Sequence, residues 1–301
     1  MLYAQTSPEA KRKSLMTALQ SGHLLRFPGA FSPLVAKLIE EQAWDGIYIS
    51  GAVLANDLGL PDIGLTSMHE VCQRGHQIAR VSKLPALIDI DTGFGEPMNV
   101  ARTVQELENL GLAGCHLEDQ VNPKRCGHLD NKTIISVEEM CRKIKAANDV
   151  CRDEHFLLIA RTDARASEGL QKAIDRALAY IDAGARMIFP EALESEKEFE
   201  SFRKAVNVPL LANMTEFGKS KLLSTTELAN LGYNLVIYPV TTLRLAMHAV
   251  EAGLGVIKAQ GTQAAELKNM QTRARLYELL EYEAYNKFDQ SIYNFELKDS
   301  Q

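Results

Sequence analysis

Cysteine is scarce in this 301-residue chain, and no C-x-x-C pair occurs. The five cysteines, at positions 72, 115, 126, 141 and 151, argue against a disulfide framework or a structural zinc site and fit a reducing compartment. Basic charge is not in excess. Lys and Arg number 33 against 39 Asp and Glu, a net charge of −6, so no broad positive field invites nucleic acid or an anionic membrane surface. No stretch approaches the ~20 consecutive apolar residues of a membrane span. The first fifteen residues carry no apolar run ahead of a small-residue cleavage site, so no signal peptide is expected. Low-complexity tracts, short repeats, a Walker A loop, a G-x-G-x-x-G fingerprint and a Ser-His-Asp pattern are also missing. These absences leave a cytoplasmic globular enzyme as the expectation.

What is present is regular. Hydrophobic residues make up 46% of the chain, enough at this length for a large core without staples. Apolar runs recur at Leu24–Phe27, Gly46–Ser50, Ala86–Asp91, Gly114–Glu118, Phe156–Thr162, Met187–Glu191, Pro209–Asn213 and Leu235–Pro239, each short as buried parallel strands are. Helical spacing fills the gaps, as in Asn99–Leu110, Leu170–Ala183 and Ser195–Val206. Gly46, Gly111, Gly184 and Gly232 read as helix stops before the next strand. Eight such alternations predict a single (β/α)8 TIM-like barrel over 21–262, with a doubly wound open sheet as the alternative. Ser7–Gln20 reads as a helix ahead of the barrel. Ala264–Phe288 reads as a terminal helical stretch, packed either on its own barrel or on a neighbouring subunit.

A barrel carries its active site at the C-terminal ends of its strands, and residues two apart in a strand share a face. Asp89 and Asp91 therefore face the same way from an apolar run. Two such carboxylates repel unless a cation or proton lies between them, and a hard divalent ion suits them. The structural alternative is one Asp capping a helix and one bonded to backbone. By the same parity His116 and Glu118 share a face, and Glu118 could reach a metal directly or through water. Arg161 ends a core run and needs an anion, supplied either by a substrate carboxylate or by an ion pair with a strand-end acid such as Glu191. Tyr48 and Ser50 share a face, and Gly51 lets backbone N–H groups approach a carboxylate closely.

The loop Asn122-Pro123-Lys124-Arg125-Cys126-Gly127-His128 gathers two cations, a thiol and a histidine. Cations and histidine favour thiolate, and such a loop reads as a lid bearing its own acid or base. The bland alternative is a solvated turn with an incidental cysteine. Cys72, Cys115 and Cys141 lack this setting and read as packing residues. A metal-binding acid pair, an anion-binding Arg and a loop thiol suit carbon–carbon lysis of a hydroxy acid.

At these residues the chain resembles the isocitrate lyase and phosphoenolpyruvate mutase superfamily. The Lys124-Arg125-Cys126-Gly127-His128 loop is similar to the signature of its lyase branch. Matching strand-end motifs run in order from Tyr48-Ile-Ser-Gly51 through Asp89-Ile-Asp91-Thr-Gly-Phe-Gly95, Leu117-Glu118-Asp119-Gln120, Ala160-Arg161-Thr162-Asp163, Phe189-Pro-Glu191-Ala and Ala212-Asn213-Met-Thr215-Glu-Phe217 to Gly261-Thr262-Gln263. The resemblance implies a barrel whose last helix is exchanged between subunits, in a homotetramer built from dimers. It implies cleavage of 2-methylisocitrate to pyruvate and succinate in propionate breakdown. It places Mg2+, or Mn2+ with its similar preference for oxygen, at Asp89 and Asp91, with Glu118 behind them. It places a di- or tricarboxylate substrate near Ser50, Gly51, Ala52, Gly127, His128, Arg161, Glu191, Asn213, Thr215, Arg244 and Gly261. Cys126 becomes the general acid and Tyr48 a candidate for the hydroxyl proton. One departure stands out: some members read Ser-Gly-Gly where this chain has Ser50-Gly51-Ala52. The extra methyl bears on the choice among 2-methylisocitrate, 2,3-dimethylmalate, oxaloacetate and isocitrate, which differ by little. A carboxylate-binding barrel without catalysis is the reading from another class.

Overall fold

The computed structural model describes residues 5–125, 127 and 132–295. Cys126 and His128 lie outside the described residues. The first half runs α1 (Pro8–Gln20), β1 (Leu25–Pro28), α2 (Pro33–Glu41), β2 (Ile47–Ile49), α3 (Gly51–Asp57), α4 (Met68–Ala79), β3 (Ala86–Asp89), α5 (Pro97–Asn109) and β4 (Gly114–Glu118). The second half runs α6 (Val137–Val150), β5 (Leu157–Thr162), α7 (Ala164–Glu168), α8 (Leu170–Asp182), β6 (Met187–Pro190), α9 (Glu196–Ala205), β7 (Leu211–Asn213), α10 (Thr225–Asn230), β8 (Leu235–Tyr238) and α11 (Thr241–Gln260). A 3-10 turn (Ala264–Asn269), α12 (Arg273–Leu279) and α13 (Tyr282–Tyr293) follow.

The strands are parallel and in chain order, as β2-β3-β4-β5-β6 and β1-β8-β7. Parallel bridges Gly29–Tyr48 and Ile188–Leu210 join the two ladders. All eight strands therefore close into a ring, and the open-sheet alternative, which needs two free edges, is excluded. Alternation along each strand makes two apolar layers. Phe27, Tyr48, Leu87, Leu157, Phe189 and Ile237 fill the barrel. Ile47, Ile49, Ile88, Leu158 and Ile188 face the helices.

Helix α1 seals the barrel floor. Ser7 caps it, and Leu15 and Leu19 join the inner cluster. Its two buried cations satisfy the carbonyls left free where other helices stop. Arg12 donates to Glu108 O in the last turn of α5 and to Leu112 O (2.9 Å) just beyond it, and Lys11 donates to Ala79 O (3.0 Å) at the end of α4. Serine caps with a glutamate three residues on open α4, α6 and α10, at Ser67, Ser136 and Ser224.

Two expectations need correction. Gly46 does not stop a helix: α2 ends at Glu41, and Gly46 is small because any side chain there would strike the Phe27 ring. Asp91 is not in strand β3, which ends at Asp89; Asp91 lies in a left-handed turn at φ +47°. The terminal stretch is helical as expected, divided into the 3-10 turn, α12 and α13, and α12 touches its own barrel through Arg275–Glu41. No described helix is long and apolar enough to cross a membrane.

Candidate active site

The C-terminal ends of the strands surround a cavity of about 330 Å³. Tyr48, Ser50, Ala52, Asp89, Gly127, Arg161, Glu191, Asn213, Thr215 and Arg244 line it, from six different strand ends and the start of α11. The segments leaving each strand bring together residues nearly 200 positions apart.

The acid pair converges despite the break in the strand. Asp89 and Asp91 are 5% and 6% exposed. Asp89 is fixed by two backbone donors, Asp91 N (2.9 Å) and Gly51 N (3.2 Å). A Cβ on Gly51 would meet Asp91 Oδ1 at 2.9 Å and Asp89 Oδ2 at 3.0 Å, so glycine leaves open the space that both carboxylates border. Burial, then the charge of Asp89, pushes the Asp91 carboxyl up to about 6. Burial works against ionisation of Asp89 as well, but His116, Lys124 and Arg161 hold its pKa below the usual carboxylate range.

Around the pair the charges do not balance. Among the described residues, buried carboxylates on Asp89, Asp91, Glu118, Asp119, Asp163 and Glu191 outnumber the buried cations Lys124, Lys132, Lys143, Arg161 and Arg176. Arg161 makes a bidentate pair with Asp163 (2.9 and 3.1 Å) and lies 3.3 Å from Glu118 and 3.6 Å from Glu191. Burial pushes Glu118 well above the ordinary range. Its Oε1 has no hydrogen-bond partner among the described residues. An excess of buried acid with an unused carboxylate oxygen fits a hard divalent cation, which takes oxygen ligands and fills its shell with water. The described residues hold no ready cluster of three or more His, Cys, Asp or Glu ligands, so Asp89 and Asp91 would need water or substrate to complete a shell.

Tyr48 Oη lies 2.6 Å from His116 Nε2 inside the barrel. Burial, then Asp89, raises the phenol well above its ordinary value, while burial lowers the imidazole. Tyr48 lines the cavity, and His116 lies behind it. Asn213 Nδ2 lies 3.4 Å from both carboxylate oxygens of Glu191. At the mouth, Arg244 donates to Glu216 Oε2 (2.7 Å) and Glu216 O (2.8 Å), and its guanidinium stacks over Phe217 at 5.2 Å.

The motif loop is docked from both sides. Lys124 reaches Asp91 Oδ1 at 2.9 Å and also pairs with Asp62. Gln120 brackets Arg125, accepting from its N and donating to its O, both at 2.8 Å. Lys132 donates to Gly127 O and pairs with Asp163 at 2.8 Å. A side chain at Gly127 would strike the Arg161 guanidinium and Glu191, so only glycine fits this close approach. The assignments to Cys126 and His128 fall outside the described residues.

Gly261 is not brought into the site. It caps the C-terminus of α11 at φ +70°, exposed and with open space around it. Asp62, Asn56 and Lys132, which the sequence did not single out, hold or line the site. Asp62 and Lys132 lie in irregular segments where periodicity carries no signal. A buried Lys124 in the motif could have prompted a search for its acidic partner.

With this geometry in view, the comparisons with known proteins are specific. The family model described as phosphoenolpyruvate phosphomutase matches residues 16–258, spanning every strand, and the chain belongs to that family. "Probable 2-methylisocitrate lyase 2" of Corynebacterium glutamicum is 58% identical over 289 residues, covering 96% of this chain and 94% of the relative. Further relatives at 42–59% identity are also named 2-methylisocitrate lyases. Among solved structures, oxaloacetate acetylhydrolase with 3,3-difluorooxalacetate matches with a TM-score of 0.90 at 32% identity, covering 97% of this chain and 100% of that one. Phosphonopyruvate hydrolase with oxalate and Mg2+ matches with a TM-score of 0.85 at 31% identity, covering 93% and 98%.

Proposed function

We propose that this chain is a carbon–carbon lyase that cleaves 2-methylisocitrate to pyruvate and succinate. The observation that carries the reading is the convergence of Asp89 and Asp91 on the Gly51 gap, within a buried excess of carboxylates, in a chain 58% identical to a relative named for that reaction. Asp89 and Asp91 would hold Mg2+, or Mn2+, with Glu118 reaching it through water. When bound, the ion supplies Lewis-acid polarisation of the hydroxy acid.

The protein's own groups supply the rest. Ser50, Asn213, Thr215 and Arg244 border the cavity and bind substrate carboxylates, while the Gly51 N–H, expected from the sequence to face substrate, is taken by Asp89. Arg161, though flanked by acids, keeps its charge and holds Glu191 and Glu118 in place. Tyr48 accepts the hydroxyl proton while His116 takes the proton of Tyr48, so the buried phenol need not ionise. Cys126, in the loop that Lys124 and Lys132 tether, protonates the carbanion of the departing succinate. Phe189, Pro239 and Val240 give the cavity an apolar wall for the substrate's methyl group.

The same reading extends to assembly. Helix α11 has no buried residue, and its groove of about 900 Å³, lined by Leu245, Met247, Val250 and Leu254, is apolar. Tyr285, Phe288 and Ile292 of α13 are exposed as well. Surfaces of this kind are covered by a partner. Apart from the Arg275–Glu41 pair that α12 makes with its own barrel, the arm over 264–288 packs on a neighbouring subunit, and the chain assembles as a homotetramer of paired dimers.

Product analysis tests the activity. Incubating 2-methylisocitrate with Mg2+ should release pyruvate and succinate in equal amounts, and Cys126→Ser should lose most of kcat while binding substrate. Wild-type turnover by Cys126→Ser would remove the thiol from the mechanism.

A further inference from the structure

We infer that Lys143, outside the barrel on α6, is a positioning residue for the acid pair, pinning the turn that carries Asp91. This rests on the metal reading proposed above and adds a residue beyond the substrate cavity. Lys143 Nζ donates to Thr92 O at 2.9 Å, in the interior, and Thr92 follows Asp91 directly.

The turn needs holding. Asp91 sits at φ +47°, Gly93 at +86°, Phe94 at +60° and Gly95 at +141°. Two of these four are side-chain-bearing residues in the left-handed region, which L residues adopt at a cost. Backbone bonds hold the two ends: Gly93 N donates to Ile90 O (2.8 Å), and Glu118 N donates to Asp91 O (2.9 Å). Thr92 O, between them, is held by Lys143. Lys143 grips the Thr92–Gly93 peptide, the one that follows the Asp91–Thr92 peptide held by Glu118 N, and so fixes the turn one residue beyond Asp91.

Lys143 is an unusual choice for a merely structural prop. It is 8% exposed and forms no ion pair with any described residue. A buried ammonium without a contacting counter-charge is costly, and burial lowers its pKa. Glu96 and Glu139, more distant, favour the charged form. The amine borders a polar cavity of about 400 Å³ that shares no lining residue with the substrate cavity. Lys143 therefore lines no part of the substrate cavity, and its hydrogen bond is to the Asp91 turn.

The test is Mn2+ binding to the full-length protein by calorimetry, with Mn2+ alone as the probe. Lys143→Met should bind Mn2+ about tenfold more weakly or worse, the scale of losing one charge-assisted hydrogen bond at the turn. Its kcat should recover toward wild type at high Mg2+. Lys143→Arg, which keeps a charged donor, should restore part of the affinity. Lys145→Met, exposed on the same helix, should bind as wild type does. Folded Lys143→Met binding Mn2+ within about twofold of wild type would overturn the inference. If Lys143→Met does not fold, Lys143→Arg and Lys143→Gln decide it. Weaker binding by Gln than by Arg supports the inference, and equal affinity overturns it. A wild-type protein that binds no Mn2+ would overturn the metal reading itself.

Discussion

Gly51→Ala separates the geometry of the acid pair from the stability of the fold. The new methyl would lie 2.9 Å from Asp91 Oδ1, 3.0 Å from Asp89 Oδ2 and 3.1 Å from Asp89 Cγ. An ordinary C–H···O contact is about 3.3–3.6 Å, so both carboxylates must retreat by roughly 0.4 Å. Neither is free to do so: Asp89 is tied to two backbone N–H groups and Asp91 to Lys124. Overpacking of this kind costs about 1–3 kcal/mol. Gly51 opens α3 without a left-handed φ, so alanine there also gains about 1 kcal/mol in helix propensity. The two nearly cancel, and unfolding in urea should show a loss of no more than about 2 kcal/mol. Metal binding has no such compensation, because Mg2+ demands oxygens at about 2.0–2.1 Å in near-octahedral array. Calorimetric titration should show Mg2+ affinity reduced by about 10–100-fold, or about 1.4–2.8 kcal/mol. A stable Gly51→Ala protein that binds Mg2+ as wild type does would refute the convergence of the two acids on one ion.

Three further outcomes follow from the same structure. Arg12→Met strips the donor from Leu112 O and Glu108 O and leaves Asp153 without its guanidinium, so it should cost about 3–5 kcal/mol in urea unfolding; a loss under about 1 kcal/mol would contradict the sealing role of α1. Burial works against ionisation of Asp153, but donors from His155 and Arg12 outweigh it and hold its pKa below the ordinary value. Its stabilisation is therefore complete above about pH 4 and lost as pH falls through the depressed folded pKa, and Asp153→Asn should flatten that acid limb in pH-dependent unfolding. Leu254→Glu, at a site 61% exposed in a single chain, should dissociate the assembly in light scattering while leaving helical content unchanged; an unaltered mass would disprove packing of a neighbour on α11.

Much of the barrel was legible in the sequence because buried parallel strands are short apolar runs bounded by helices, and all eight runs became strands to within a residue or two. Part of the candidate site was legible for the same reason. Asp89, Glu118, Arg161 and Glu191 stand out as charges at the ends of apolar runs. Asp91 borders the same space as Asp89 at Gly51, but not by strand parity, which does not extend into a left-handed turn at φ +47°. Gly46 looked like a helix stop because the sequence cannot distinguish a glycine needed for its φ from one needed to clear the Phe27 ring. Asp62, Lys132 and Lys143 were not legible. Each acts across a long sequence separation, 62 residues for Asp62 with Lys124 and 51 for Lys143 with Thr92, and no periodicity marks such contacts.

The measurement that bears most directly on the account is kcat/KM for 2-methylisocitrate, isocitrate, 2,3-dimethylmalate and oxaloacetate with Mg2+, repeated in EDTA and after Mg2+ is restored. The account predicts a preference for 2-methylisocitrate that EDTA abolishes and Mg2+ returns. Cleavage that survives EDTA would contradict the role of Asp89 and Asp91, and folded protein that cleaves none of the four acids would contradict the lyase assignment.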